Sequence, residues 1–161
     1  MFARHFIDSL DFARKGEELR GEIPVAGMSR LLDVLEKPDG KIGYVLRGFP
    51  DRNGSPMLEL ALEGSCQLRC QRCLQAMDYP IRQVSRLMLA SEEPESELSE
   101  DSFDSIPPDE HLDVAALIED EILLNLPFAP RHDPGMCQAE LVSPQQGAEN
   151  PFSILRSLKN K

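Results

Sequence analysis

The sequence has no tryptophan and few aromatic residues of any kind. It has no apolar run approaching the ~18 residues that a membrane-spanning helix requires, which excludes a helical membrane span. Met1-Phe2-Ala3-Arg4-His5-Phe6 shows no charged segment followed by an apolar one, so no secretory signal is expected and the chain is expected in the cytoplasm. In that compartment thiols stay reduced, and the four cysteines are read as metal ligands or reactive groups rather than a disulfide framework. No glycine-rich phosphate loop is present, and none of His5, His111 and His132 lies near a serine or cysteine elbow. No catalytic residue, no enzyme activity and no small-molecule substrate are therefore expected. A second Cys-x-x-Cys at a spacing of ~15–20 residues, which would mark a zinc ribbon outright, is also missing.

Positive charge is the other scarcity. The net charge is −11, and residues 91–121 hold a dense run of Asp and Glu with no Lys or Arg. An acidic chain is a poor general binder of polyanions, because phosphate contacts must come from Lys and Arg. The local exception is Arg69, Arg72, Arg82 and Arg86, which are opposed between residues 64 and 90 by Asp78 alone. Any nucleic-acid contact is expected to run through these four arginines. The alternative is a basic protein partner.

A chain of 161 residues can bury a real core as one domain, here 1–161, and 13 prolines point to many loops. Asp8 reads as the N-cap of a helix ending near Gly16. Glu18 to Ile23 alternates as a half-buried strand does. Met28, Leu31, Leu32 and Leu35 recur at helical spacing before the Pro38-Asp39-Gly40 turn. Ile42 to Phe49 and Met57 to Ser65 read as strands around a turn-rich segment, with Leu58, Leu60 and Leu62 on one side and Glu59 and Glu63 on the other. A further strand places Tyr79, Ile81, Leu87 and Leu89 opposite Arg82, Val84 and Arg86. Together these predict a long antiparallel hairpin with its tip over Arg69 to Asp78. Residues 91–108 have the composition of a mobile acidic loop. Asp113 caps a predicted helix to about Asn125, with Val114, Leu117, Ile118, Ile122 and Leu124 apolar and Glu119, Asp120 and Glu121 solvated. A flexible loop over 138–149 and a short helix after Asn150-Pro151 complete the reading. The fold class is α+β: an antiparallel sheet with a long hairpin, packed by two or more helices.

The cysteines carry the chemistry. Cys70-x-x-Cys73 on a tight turn is a zinc-knuckle spacing, and His132 and Cys137 arrive later as one imidazole and one more thiol. Cys66 shares parity with Leu58, Leu60 and Leu62 and points to the core. On an uninterrupted strand it would lie about 13 Å from Cys70 at a rise of ~3.3 Å per residue, too far to share an ion. The candidate zinc ligands rank as Cys70, Cys73 and Cys137, then His132, then Cys66. Spacing alone leaves inert reduced cysteines as an alternative. A redox pair is disfavoured, because such pairs sit at helix N-termini.

The motif set resembles one family. Cys70-Gln71-Arg72-Cys73-Leu74 ends an alternating strand. Leu112-Asp113-Val114-Ala115-Ala116-Leu117-Ile118-Glu119-Asp120-Glu121-Ile122-Leu123-Leu124-Asn125-Leu126-Pro127 is followed by His132 and Cys137. The ending is Asn150-Pro151-Phe152-Ser153-Ile154-Leu155-Arg156-Ser157-Leu158-Lys159. These resemble the YceD family of large ribosomal RNA subunit accumulation proteins, while Asp11-Phe12-Ala13-Arg14 and Leu19-Arg20-Gly21 fit more loosely. The resemblance implies a non-enzymatic role in synthesis, processing or stability of the large-subunit (23S) rRNA during ribosome assembly, and it carries over no catalytic residues. An acidic protein in that role is expected to act as an adaptor or chaperone for a basic ribosomal protein or assembly factor. Direct rRNA contact through the arginine-flanked Cys-x-x-Cys tip is the alternative. A thiol oxidoreductase or nuclease is the third and least supported class.

Overall fold

The long hairpin is the spine of the sheet. In the computed structural model, which describes residues 4–90 and 103–137, strands β5 (Pro56–Arg69) and β6 (Ala76–Leu89) pair antiparallel from Met57↔Met88 to Arg69↔Ala76. Before them run β1 (Phe6–Ile7), α1 (Ser9–Lys15), β2 (Glu18–Pro24), a 3-10 turn (Val25–Gly27), α2 (Ser29–Leu32), β3 (Leu35–Lys37) and β4 (Lys41–Pro50). After them come β7 (Asp104–Ile106), β8 (Leu112–Asp113) and α3 (Val114–Asn125). The main sheet has the order β2-β4-β5-β6-β7, antiparallel except where β7 joins β6 in parallel, and β1 pairs separately with β8. No helix among the described residues is long and apolar enough to cross a membrane.

Period-two alternation puts one side of the sheet in the core. Ile23, Ile42, Tyr44, Leu46, Leu58, Leu60, Leu62, Cys66, Leu68, Ile81 and Leu87 are buried there under Phe12 and Ala13 of α1, Leu31 of α2, and Val114, Leu117, Ile118 and Ile122 of α3. Helix α1 forms where the sequence predicts it. Asp8 accepts from the Asp11 N–H at 2.9 Å, and Gly16 closes the helix at φ 64, a left-handed conformation that glycine adopts without strain. The helix lies so close to β4 that a Cβ on Gly48 would stand 2.5 Å from the Phe12 carbonyl oxygen. Only glycine fits there.

The outer side of the sheet is a ladder of charges. Register aligns Glu18, Arg47, Glu59 and Arg86 across four strands, and Glu22, Gly43, Glu63 and Arg82 across the same strands two rows nearer the tip end. Ion pairs form along these rows between Arg47 and Glu18 at 2.5 Å, Arg86 and Glu59 at 2.9 Å, and Arg82 and Glu63 at 3.1 Å. Opposite charges facing each other on neighbouring strands support the register.

Three expectations are corrected. The helix expected over Met28 to Leu35 forms only over Ser29–Leu32, and Leu35 begins β3. Strand β4 reaches β5 no further than Ile42↔Gly64, so the β5 edge beyond is open, and Leu35 and Lys37 pair there with Leu68 and Gln67. A buried sheet edge needs partners, and this need outweighs a helical period of three or four residues. The solvated face expected on α3 is also wrong in part, since Glu119 and Glu121 are buried and Leu124 is exposed. Glu119 Oε1 accepts the N–H groups of Arg30 at 2.6 Å and Leu31 at 2.9 Å. Helix α2 has no side-chain cap of its own, and Glu119 fills that role from α3. Within the expected acidic loop, residues 91–102 lie outside the described residues, while Asp104–Ile106 form β7 against Leu87, Met88 and Leu89. The expected loop 138–149 and the helix after Pro151 also lie outside the described residues.

Candidate metal centre at the hairpin tip

Between Arg69 and Ala76 the chain makes a closed loop. The Cys70 N–H donates to the Gln75 carbonyl at 2.9 Å, and the Leu74 N–H donates to the Cys70 carbonyl at 2.9 Å. Leu74 is held at φ 60, a left-handed conformation rare for a side chain of this size. The resulting turn folds Cys73 back toward Cys70 and aims the Arg72 N–H at the Cys70 sulfur, 3.4 Å away.

The second half of the site comes from the segment after α3. Leu126 leaves the helix in an extended conformation, and Pro127, Pro130 and Pro134 keep the chain from resuming it. The Gln71 N–H donates to the Pro130 carbonyl at 2.8 Å, setting this strap against the loop. A turn closed from the Met136 N–H to the Asp133 carbonyl, with Gly135 at φ 90, delivers Cys137.

Loop and strap converge on one point. Cys73 Sγ lies 3.4 Å from His132 Nδ1, Cys137 Sγ lies 3.8 Å from the same nitrogen, and Cys70 Sγ lies 3.7 Å from Cys137 Sγ. All four donor atoms fall within 4.8 Å of one another. Two sulfurs at about 2.3 Å from one tetrahedral zinc stand about 3.8 Å apart, and a sulfur and an imidazole nitrogen about 3.6 Å. The donor set therefore fits such an ion in both chemistry and spacing. Cys66 is excluded from it: β5 runs unbroken past it, and it is 1% exposed among the apolar core residues.

The electrostatics divide the cysteines in the same way. Burial alone pushes the Cys66 thiol up to about 11. Burial also acts on Cys70, but the backbone N–H groups of Cys73, His132 and Arg72 around its sulfur outweigh it and bring that thiol down to about 5. The Cys137 thiol is pushed up by burial and by its neighbours Cys70 and Cys73. Crowded sulfur donors that resist bearing charge together are the arrangement a bound dication relieves.

The four arginines sit differently from the cluster. Arg69 pairs with Glu36, Arg82 with Glu63 and Arg86 with Glu59, whereas Arg72 is exposed in the loop. No local signal marks Glu36 as the partner of Arg69, because it arrives through β3. Leu74 of the loop and Phe128 and Met136 of the strap are exposed, and Leu35, Leu68, Leu123, Leu126, Phe128 and Pro130 line a groove of 550 Å³. Isolated exposed apolar residues are ordinary and carry no functional signal on their own.

Fold and site define a class: an α+β domain with one wet sheet face and a sulfur–imidazole cluster at the end of its longest hairpin. Residues 58–159 match the family described as large ribosomal RNA subunit accumulation protein YceD, and the chain belongs to that family. The match takes in β5 to α3, the loop and the strap, and leaves the looser N-terminal likeness outside it. No solved structure matches the chain.

Proposed function

We propose that the protein supports accumulation of large-subunit rRNA without catalysing a reaction, as an adaptor or chaperone for a basic ribosomal protein or assembly factor. The observation that carries this reading is the neutralisation of the hairpin arginines. Arg69, Arg82 and Arg86 each lie against a glutamate, so they offer a polyanion little uncompensated charge in a chain of net charge −11. Such a surface attracts a basic partner, with an on-rate that falls as salt rises. In this reading Cys70, Cys73, Cys137 and His132 hold one Zn²⁺, which fixes the strap to the tip and supplies no reaction step.

Arg72 favours a second reading. It is exposed at the tip and makes no ion pair among the described residues, so it is available to a phosphate. A pull-down of large-subunit RNA and ribosomal proteins separates the two. On the adaptor reading, deletion of residues 92–102, which leaves β7 in place, weakens capture of a basic protein, and Arg72→Glu with Arg82→Glu leaves it intact. Loss of RNA capture in the arginine variants, with the deletion silent, overturns it in favour of direct RNA binding.

A further inference from the structure

The tip cluster carries a second chemistry in the contact between Cys70 and Cys137 across loop and strap. Cys70 follows β5 and Cys137 lies in the strap, 67 positions apart in sequence, yet their sulfurs lie 3.7 Å from each other. Cys73 lies within 4.8 Å of both sulfurs but makes its own hydrogen bond with the imidazole of His132, at 3.4 Å. We propose that Cys70 and Cys137 form a peroxide-oxidisable pair, whose conversion to a disulfide removes two of the four metal ligands and expels the ion. The expulsion rests on the zinc reading above; the disulfide does not.

Access and proximity set the order of events. Cys73 and Cys137 are both half-buried and Cys70 is fully buried, so a small hydroperoxide reaches Cys137 before Cys70. Cys137 first loses its proton to solvent; its thiolate attacks one peroxide oxygen, the O–O bond breaks, and hydroxide leaves, giving a sulfenic acid. The Cys70 thiolate then attacks that sulfur, the S–S bond forms, and the S–O bond breaks with loss of a second hydroxide. Two thiolates are oxidised by two electrons, one peroxide is reduced, and two protons from solvent convert the hydroxides to water.

The sulfurs must close from 3.7 Å to about 2.05 Å. The strap can supply that shift, because between the loop residues 70–75 and the strap residues 126–137 the recorded backbone hydrogen bond is the one from Gln71 to Pro130. Cys66 cannot compete, being sealed in the core at 1% exposure. Oxidation would thus exchange one tether for another. Cys137 stays fixed to the tip, while Cys73 and His132 are released.

The test uses the full chain, first assayed for zinc and then titrated with hydrogen peroxide. Zinc release is followed with a chromogenic chelator, and disulfides are mapped by mass spectrometry without reduction. The expected result is a Cys70–Cys137 linkage that appears in step with released zinc, persists in Cys66→Ser, and reverses with dithiothreitol. A Cys73→Ser variant, whatever its metal content, is expected to form the same linkage. A Cys70–Cys73 linkage, sulfinic acid without a disulfide, or zinc retained while added glutathione is oxidised overturns the proposal. If the untreated protein holds no zinc and the Cys70–Cys137 linkage still forms, the metal reading fails and the oxidisable pair stands.

Discussion

The body and the tip of the β5–β6 hairpin are built from the same two strands and held by different forces. In the body, Leu58, Leu60, Leu62 and Leu87 are buried under the helices, and Glu59–Arg86 and Glu63–Arg82 face water. Burial of that kind stabilises by roughly 1.5–3 kcal/mol per large apolar side chain and depends on no bound group. At the tip Leu74, Phe128 and Met136 are exposed, and what gathers loop and strap is a cluster of four sulfur and nitrogen donors. Cys66 and Cys70 mark the boundary. Four residues apart, one is a core apolar residue with its thiol pushed up to about 11, and the other is a prospective ligand with its thiol brought down to about 5. If the cluster holds zinc, as proposed, one end of the hairpin is set by packing and the other by a bound ion, and the two should fail separately.

The largest effect is expected from the body. Leu60→Ala removes a fully buried side chain and should lower global stability by about 2–5 kcal/mol in urea unfolding. Metal content per folded molecule should not change. Gly48→Val should follow, because its Cβ would run into the Phe12 carbonyl of α1, and thermal unfolding would report a cost of about 1–3 kcal/mol. If either variant also emptied the cluster, body and tip would be one unit.

A pH titration sharpens the comparison from the other side. With metal removed, the Cys70 thiol sits below its ordinary value of 9.0, at about 5. A group with a depressed folded pKa adds stability that is complete above its unfolded pKa and is lost as pH falls through the folded one. The tip of the metal-free protein should therefore weaken as pH falls from 9 toward 5, with thiolate absorbance at 240 nm disappearing near the lower end. Cys66 should add no thiolate absorbance until about pH 11. The smallest effect belongs to the outer face: Arg86→Ala breaks a half-exposed pair with Glu59 and should leave stability within about 1 kcal/mol of the parent.

The contrast also explains what could be read from the sequence. The alternation in β5 and β6 and the caps Asp8 and Asp113 are local signals, with a physical cause within a few residues, and they appear in the structure. Parity along β5 was enough to place Cys66 in the core. The pairing of Leu35 with Leu68 was not legible, because it answers an open edge on a strand more than thirty residues away. Glu119 looked like a solvated acid because its partners, the Arg30 and Leu31 N–H groups, belong to a short helix without its own cap. Arg69, Arg82 and Arg86 looked like a positive patch because Glu36, Glu59 and Glu63 become their neighbours only through sheet register and the β3 crossover. Which residues could meet at the tip was legible from spacing and residue type. The strap's approach, fixed by the bond from Gln71 to Pro130, was not.

On the proposed reading a zinc ion holds the tip and apolar packing holds the body. The direct measurement is zinc per chain by elemental analysis of the full-length protein purified without chelator, paired with hydrogen exchange at the Gln71 and Leu60 amides. The expected result is one zinc per chain, retained in Cys66→Ser and lost in Cys70→Ser, with protection lost at Gln71 and kept at Leu60 when zinc leaves. Substantially less than one zinc in folded protein, or Gln71 protection indifferent to its removal, would contradict it.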